Sequence, residues 1–299
     1  MSGTVLVMGA TGEVGGRVLR ALVRRGMGVV GASRDPTRAA ASLGGSWREL
    51  DLERAATFAP ALQGVERLFL VARPGDDDPD VPGGQLLAAV VATGVRHVVL
   101  LSAFGAEQEP DFGLRRLELL LEASGLSWTH LRPNFFMQVF AGPPLLPALL
   151  ATGMLRLPAA DARLSYVDTR DIADVAVAAL TGEDHQGKAY ALTGPESLDH
   201  YDVVRLISAA AGVDFRYEPI PEAAAAAALA AGGLSAARVQ RLLGFYRRVR
   251  ADHCAPVHGD VATVLGRPAR AFEEFAAHCA PCWRQPRVAP ASASVRLPT

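Results

Sequence analysis

The sequence predicts an α/β protein: a doubly wound parallel sheet with a smaller, mostly helical C-terminal lobe. Three observations predict it. Runs rich in Val and Leu, such as Val5 to Met8 and His97 to Leu101, recur between segments of helical period. Near-continuous apolar strands of this kind belong to parallel sheets covered on both faces. A glycine cluster stands directly between the first apolar run and the first helical segment, and after Asn134 the alternation loosens into stretches rich in Pro, Leu and Phe.

Val5 to Met8 reads as the first strand. Val14 to Arg25 reads as the first helix, with Val14, Val18, Leu19, Leu22 and Val23 on one face and Gly26 as its stop. Met27 to Ala32 is the second strand, Thr37 to Leu43 a helix entered through Pro36, and Ser46 to Asp51 the third strand. Glu53 to Leu62 is helical and Arg67 to Ala72 is the fourth strand; an acidic loop, Pro74 to Gly84, leads into a helix over Gln85 to Thr93. His97 to Leu101 is the fifth strand, Leu114 to Ser124 a helix closed by Gly125, and Ser127 to Leu131 the sixth strand, ended by Pro133. Asn134 to Arg163 reads as an inserted lobe, Ser165 to Asp168 as a short strand, Asp171 to Leu180 as a helix and Lys188 to Thr193 as a strand. Helices follow over Leu198 to Ala211, from Pro221, over Ala236 to Val249 and over Val261 to Leu265, and Arg270 to Cys279 closes the fold. The expected domains are a dinucleotide-binding core of residues 1–133 and 164–187, a substrate lobe of residues 134–163 and 188–284, and a disordered tail of residues 285–299.

The 299 residues carry a net charge of −1, which offers no field for nucleic acid or an anionic membrane. The longest apolar tract, Ala223 to Ala231, falls far short of a membrane span. Met1-Ser2-Gly3 shows no secretory signal, so the expectation is a cytoplasmic protein, monomer or homodimer, acting on a small molecule. The three cysteines, Cys254, Cys279 and Cys282, make an odd count that argues against a disulfide framework. Cys279-x-x-Cys282 has the spacing of a metal knuckle, but no second knuckle accompanies it: Cys254 has only His253 and His258 nearby. Inert thiols and no bound metal are expected, with a structural zinc and a reversible disulfide as the alternatives.

The glycine cluster carries the functional signal. Gly9, Gly12 and Gly15 stand three residues apart between strand and helix. Gly9 permits the sharp turn, Gly12 lets backbone approach a pyrophosphate, and Gly15 lets helix and strand pack closely. The helix start behind them presents unpaired N–H groups and the positive end of the helix dipole. After the second strand, Ser33, Arg34 and Arg38 suit a ribose 2′-phosphate, whereas Asp35 suits two ribose hydroxyls. Arg34 stands first, which favours NADP over NAD.

GATGEVGG after the first strand, SRDP after the second, DL after the third, LSAFGA after the fifth and LRPNFFMQ after the sixth form a pattern, completed by SYVDTRDIADVAVAAL and GRPARAFEEF. Together they resemble the NmrA-like group of atypical short-chain dehydrogenases and reductases, over residues 4–280. The resemblance implies a Rossmann fold binding NADP. It also implies either an activity among the NAD(P)H-dependent quinone, azo-dye and triphenylmethane reductases, or the role of a non-catalytic redox sensor. It places cofactor contacts at Gly9, Thr11, Gly12, Glu13, Val14 and Gly15, at Ser33 and Arg34, and at the adenine through Asp51 and Leu52. Further contacts are expected at Val71, Ala72 and Arg73 and, around the nicotinamide, at Ser102, Ala103, Pro133, Asn134 and Phe135. Phe104, Phe136, Met137, Phe140 and Tyr166 are the candidate aromatic wall for a flat substrate.

Ordinary short-chain dehydrogenases use a Tyr-x-x-x-Lys pair, but the only lysine here is Lys188, and Asp184 stands four residues before it. No such pair exists in this chain, and no residue is assigned as the catalytic acid; Ser102 and Tyr166 are candidates to hydrogen-bond a carbonyl. The first reading is hydride transfer to a conjugated acceptor such as a quinone, enone, iminium ion or azo compound, with water as the proton source. The second is a sensor that reports through a protein partner, with the acidic loop Asp76 to Asp80 as its surface. A third is a biosynthetic reductase or isomerase of a polyketide or alkaloid pathway.

Overall fold

The computed structural model of the chain describes residues 3–73, 75–76 and 78–284. Its elements begin with β1 (Thr4–Val7), α1 (Glu13–Arg24), β2 (Val29–Ser33), α2 (Pro36–Leu43), β3 (Trp47–Glu49), α3 (Phe58–Leu62), β4 (Val65–Val71) and α4 (Asp80–Thr93). There follow β5 (His97–Leu101), α5 (Gly113–Ala123), β6 (Ser127–Pro133), α6 (Leu145–Thr152), β7 (Met154–Leu157), α7 (Thr169–Thr181) and β8 (Lys188–Leu192). The last are α8 (His200–Ala211), β9 (Arg216–Pro219), α9 (Glu222–Ala231), α10 (Ala236–Arg250), α11 (Asp260–Leu265) and α12 (Phe272–Trp283). The expected tail of residues 285–299 lies outside the described residues, as do Pro74 and Asp77 of the acidic loop.

The first of two compact units comprises residues up to Pro133, Thr169–Leu192 and Asp260–Arg267. Its seven strands are parallel, in the order β3-β2-β1-β4-β5-β6-β8. The chain runs outward from β1 to β3 and returns on the other side at β4, so the direction of winding switches between β1 and β4. Val5, Leu6 and Val7 in β1 and Val98, Val99 and Leu100 in β5 are wholly buried, as strands covered on both faces require. On one face Leu6, Leu68, Leu70, Val98 and Leu100 meet Phe58, Leu62, Leu86, Val90, Leu117 and Leu121 from α3, α4 and α5. Elsewhere in the unit α1 packs against α7, with Val14, Val18 and Leu22 turned inward. Val23, expected on that face, is 58 % exposed. It lies nine residues beyond Val14, which at 100° per residue is half a turn away.

The second unit comprises Asn134–Asp168, Thr193–Gly259 and the residues from Pro268 onward. It is mostly helical. Phe140, Tyr166, Ile207, Phe272, Phe275 and Trp283 lie at its centre, and β7 and β9 form a two-stranded parallel ladder. The hairpin of α9 and α10 keeps a small cluster of its own, Ala225, Leu229, Val239 and Leu243.

Several expectations need correction. The helix expected from Gln85 starts at Asp80. Pro82 sits in its first turn, where a missing N–H costs nothing, and a Cβ on Gly83 would lie 2.6 Å from Leu117 Cδ1, so glycine is needed there for close packing. The helix expected over Glu53 to Leu62 shrinks to a 3-10 turn, Ala55–Thr57, and the short α3. Ser165 to Asp168 forms no strand: Val167 bridges Phe136 and Leu164 bridges Leu198, each in isolation. β9 has no counterpart among the expected elements, being four residues long and ending in proline. Lys188–Leu192, expected in the lobe, completes the first unit's sheet beside β6, and Asp260–Arg267 joins that unit, whereas residues 164–168 belong to the second.

Gly15→Ala tests the packing of α1 on β1. The added Cβ would stand 2.3 Å from the Gly9 carbonyl oxygen and 2.7 Å from that of Met8, both backbone atoms that cannot swing aside. Urea denaturation should show a loss of about 2–3 kcal/mol, and wild-type stability would contradict the close approach.

Candidate functional site

β1 ends at Val7, and the chain turns through Gly9 at φ +61°, a left-handed conformation that glycine adopts freely. The turn closes where Gly12 N–H donates to the Gly9 carbonyl at 2.8 Å. α1 then starts with no side chain capping it, so its first N–H groups are left for another acceptor. Thr11 and Gly12 are exposed there. Glu13 offers the turn its backbone, because its carboxylate accepts from Arg17 at 2.6 and 2.8 Å and from Thr169 Oγ1 at 2.9 Å. Val14 is buried in the core beneath. A tight glycine turn, an uncapped twelve-residue helix and a locally neutralised glutamate fit a pyrophosphate.

At the end of β2, Ser33 Oγ accepts from Asp35 N–H at 3.1 Å, and Asp35 caps α2 by accepting from Arg38 N–H at 2.9 Å. Asp35 is therefore engaged as a helix cap, while Arg34 is exposed with no ion pair among the described residues. That division fits a 2′-phosphate better than two ribose hydroxyls. Asp51 accepts from Glu53 N–H at 3.1 Å and from Arg54 Nε at 3.2 Å, with Leu52 half-buried beside it. Val71 ends β4 and Ala72 follows it. Arg73 is not free to meet a phosphate: Asp76 holds it at 3.2 Å and Glu53 binds its other side. Asp78 and Asp80 are engaged too, since Arg116 donates to Asp78 at 2.6 Å and to Asp80 at 2.8 Å. The loop thus braces α4 to α5, which weakens its case as a partner surface.

The ends of β5 and β6 are stitched together. Ser102 N–H donates to the Leu131 carbonyl at 2.8 Å and Phe104 N–H to that of Pro133 at 3.0 Å, with Ala103 between. Behind Ser102 lies a buried charge cluster that the sequence reading missed. Arg132 forks onto Glu118 at 2.9 and 2.8 Å, and Arg115 bridges Glu118 and Glu122, each at 2.8 Å. His130 Nε2 lies 3.1 Å from Glu122, its ring stacked on Trp128 at 4.3 Å. Burial pushes the Glu118 carboxyl up, but Arg132, the Ser102 hydroxyl and Arg115 together bring it down to about 2. The two arginines carry most of this, because the buried Ser102 hydroxyl approaches without full hydrogen-bond geometry. Burial lowers His130. The signal was present: Arg115, Glu118 and Glu122 share one helix face, and His130 and Arg132 share one strand face. Among the described residues, Glu118, Glu122 and His130 form the one grouping with metal-ligand spacing, and arginines already occupy its carboxylates.

The second unit treats its expected site residues differently. Asn134 is spent internally: its amide donates to Ser165 Oγ and the Cys254 carbonyl, both at 2.8 Å, and its oxygen accepts from Phe135 N–H at 2.9 Å. Asn134 is therefore a clamp within this unit, and Phe135 stacks on Phe245 at 5.1 Å. Met137, Phe140 and Tyr166 belong to the unit's core and expose almost nothing, so they form no open aromatic wall. Tyr166 O–H lies 3.1 Å from His200 Nε2. Burial raises the tyrosine well above 10 and lowers the histidine to about 4, so Tyr166 offers no proton at neutral pH. Phe136, here, and Phe104, in the first unit, are half-buried. Cys254 is buried and Cys279 and Cys282 are partly so, all as thiols. Among the described residues no helix is long and apolar enough to cross a membrane.

The model of the NmrA-like family matches residues 1–276. An NAD(P)H azoreductase from Xenophilus azovorans is 33 % identical over 283 residues, covering 92 % of this chain and 98 % of its own. A (4-alkanoyl-5-oxo-2,5-dihydrofuran-3-yl)methyl phosphate reductase from Streptomyces griseus is 35 % identical over 279 residues, covering 91 % and 96 %. The solved structure of an Escherichia coli NADPH-dependent quinone oxidoreductase with NADPH superposes with a TM-score of 0.81 at 25 % identity, covering 92 % of this chain and 99 % of its own.

Glu118→Gln tests the buried cluster. The native carboxyl, at about 2 against an ordinary 4.5, stabilises the fold fully above pH 4.5 and loses that contribution as pH falls towards 2. The shift corresponds to about 3 kcal/mol. Denaturation at neutral pH should show the variant several kcal/mol less stable, roughly 3–5 for a broken buried pair, with a flatter stability profile below pH 4.5. Parallel profiles would contradict the assignment.

Proposed function

The chain belongs to the NmrA-like family and is an NAD(P)H-dependent oxidoreductase; we propose that it reduces a small, electron-poor conjugated acceptor, with NADPH as donor. The observation that carries the reading is the uncapped start of α1 behind Gly12, with the unpaired Arg34 at the end of the neighbouring β2. In this reading the first N–H groups of α1 hold the pyrophosphate. Arg34, helped by Ser33, takes the 2′-phosphate with a planar, permanently charged donor. Asp51 and Leu52 lie against the adenine. Val71 and Ala72, Ser102 and Ala103, and Pro133, at the carboxyl ends of β4, β5 and β6, orient the nicotinamide. When bound, the cofactor supplies a hydride.

The proton is the harder question. Lys188, the only lysine, opens β8 and so stands at the opposite end of the sheet from the strands' carboxyl ends. Glu118 is an anion at every working pH, and Tyr166 is a buried neutral phenol. An acceptor that delocalises the incoming charge over its own conjugated system needs no strong protein acid, and water can protonate it afterwards. The named relatives act on an azo compound, an acylated unsaturated lactone and a quinone, which share an electron-poor double bond in conjugation. The protein's task is then to hold donor and acceptor in register, and azo, quinone or enone compounds are the acceptor class.

Two measurements test this. NADPH consumption should be seen with at least one of menadione, an azo dye or an acylated butenolide, and tight NADP binding with no turnover of any acceptor would replace the enzyme by a redox sensor. Arg34→Ala should raise the KM for NADPH by roughly 10–100-fold, the worth of charge-assisted hydrogen bonds, and leave the KM for NADH unchanged. An equal loss for both cofactors would remove Arg34 from the 2′-phosphate.

A further inference from the structure

α12 carries two of the chain's three cysteines near its end, as Cys279-Ala280-Pro281-Cys282. Both are half-buried thiols, and the candidate site uses neither. The third, Cys254, differs: it is 5 % exposed, and burial pushes its thiol up, so it is closed to reagents. Residues three apart on a helix stand side by side, with Cα atoms about 5 Å apart. A disulfide spans roughly 4.4–6.8 Å between Cα atoms and about 3.5–4.5 Å between Cβ atoms. The Cα spacing already fits, and the Cβ atoms, about 5–6 Å apart in a regular helix, must close by about 1 Å. Pro281 eases that closure. It has no N–H to give the Ala277 carbonyl, so the turn that holds both cysteines lacks one of its helical bonds. The chain is anchored just beyond, where Trp283 Nε1 donates to the Phe140 carbonyl and Arg284 to the Ala210 carbonyl, each at 2.8 Å. The turn can therefore tighten while the end of α12 stays in place.

We propose that Cys279 and Cys282 form a site of thiol–disulfide exchange, with a low-molecular-weight disulfide such as oxidised glutathione as the oxidant. Cys279 packs against the apolar core of the second unit, so Cys282 is the sulfur that a reagent meets first. His278 is exposed one turn before Cys282, where an imidazole can take the thiol's proton. The Cys282 thiolate attacks one sulfur of the reagent, forms a mixed disulfide and releases one small thiol, which takes up that proton. Cys279 then attacks Cys282 Sγ, displaces the second small thiol and closes the Cys279–Cys282 bond. Two protein thiols are thereby oxidised to one disulfide, and one disulfide is reduced to two thiols. Excess thiol drives the same steps backwards. The proposal is independent of the cofactor and acceptor assigned above.

Mass spectrometry on the full chain decides the matter. The protein is incubated with oxidised glutathione, alkylated while folded and then digested. The peptide holding both cysteines should be lighter by two hydrogens and resist alkylation, and dithiothreitol should return it to the alkylable form. Cys279→Ser lacks the resolving thiol and should stop at the mixed disulfide, with one glutathione on Cys282. Two free thiols in the wild type after that incubation would overturn the proposal. So would a glutathione that stays on wild-type Cys282, or disulfides formed only between separate chains.

Discussion

The fold and the candidate site depend on one close approach, that of α1 to the end of β1. Gly15 lies against the Gly9 and Met8 carbonyls so tightly that a Cβ has no room, and Gly9 reverses the chain in a left-handed conformation. The helix is thereby aimed with its N–H groups at the carboxyl end of the sheet, beside the point where strand order switches between β1 and β4. No side chain caps that helix. Elsewhere the chain uses aspartates for this purpose, at Asp35 before α2 and Asp199 before α8. α3, α4, α5, α6, α9 and α12 also start without a side-chain cap, so what sets α1 apart is its place, directly behind the glycine turn at the carboxyl end of β1.

A second constraint lies behind Ser102. Where a Tyr/Lys enzyme keeps its acid and its ribose-binding lysine, this chain has a helix whose charges turn inward. Arg115, Glu118 and Glu122 are engaged with one another and with His130 and Arg132. Buried ion pairs add little net stability over apolar packing, but removing one partner is costly. The cluster therefore fixes the ends of α5 and β6 firmly, with Glu118 held as an anion at neutral pH. That agrees with chemistry in which the acceptor carries its own electron sink.

The sheet was legible in the sequence because β1, β4 and β5 are rich in Val and Leu and its turns are marked by glycine. The glycine turn was legible for the same reason, and Arg34 could be placed by its distance from β2. Other features depend on contacts that sequence spacing does not reveal. Asn134 looks like a ligand contact at a strand end, yet its amide is consumed by Ser165 and the Cys254 carbonyl, one of them 120 residues away. Tyr166, Phe140 and Met137 have the character of a pocket wall, but in a unit with a core of its own the same apolar rings are interior. Arg73 is claimed by Glu53 and Asp76. α4 starts earlier than its glycines and proline suggest, and Gly83 lets it pack closely on Leu117.

The central claim is that the start of α1 holds the cofactor's pyrophosphate. Gly12 has an extended backbone that any residue adopts, and a Cβ there would meet only the Gly9 carbonyl oxygen, at 3.2 Å. A side chain at this position should therefore fill the cradle while leaving the fold in place. Titration of Gly12→Val with NADPH, followed by fluorescence alongside its urea denaturation midpoint, is the most direct measurement. The account predicts affinity weakened by at least about a hundredfold, roughly 2.7 kcal/mol, with the midpoint close to wild type. Unchanged affinity in a folded variant would contradict it.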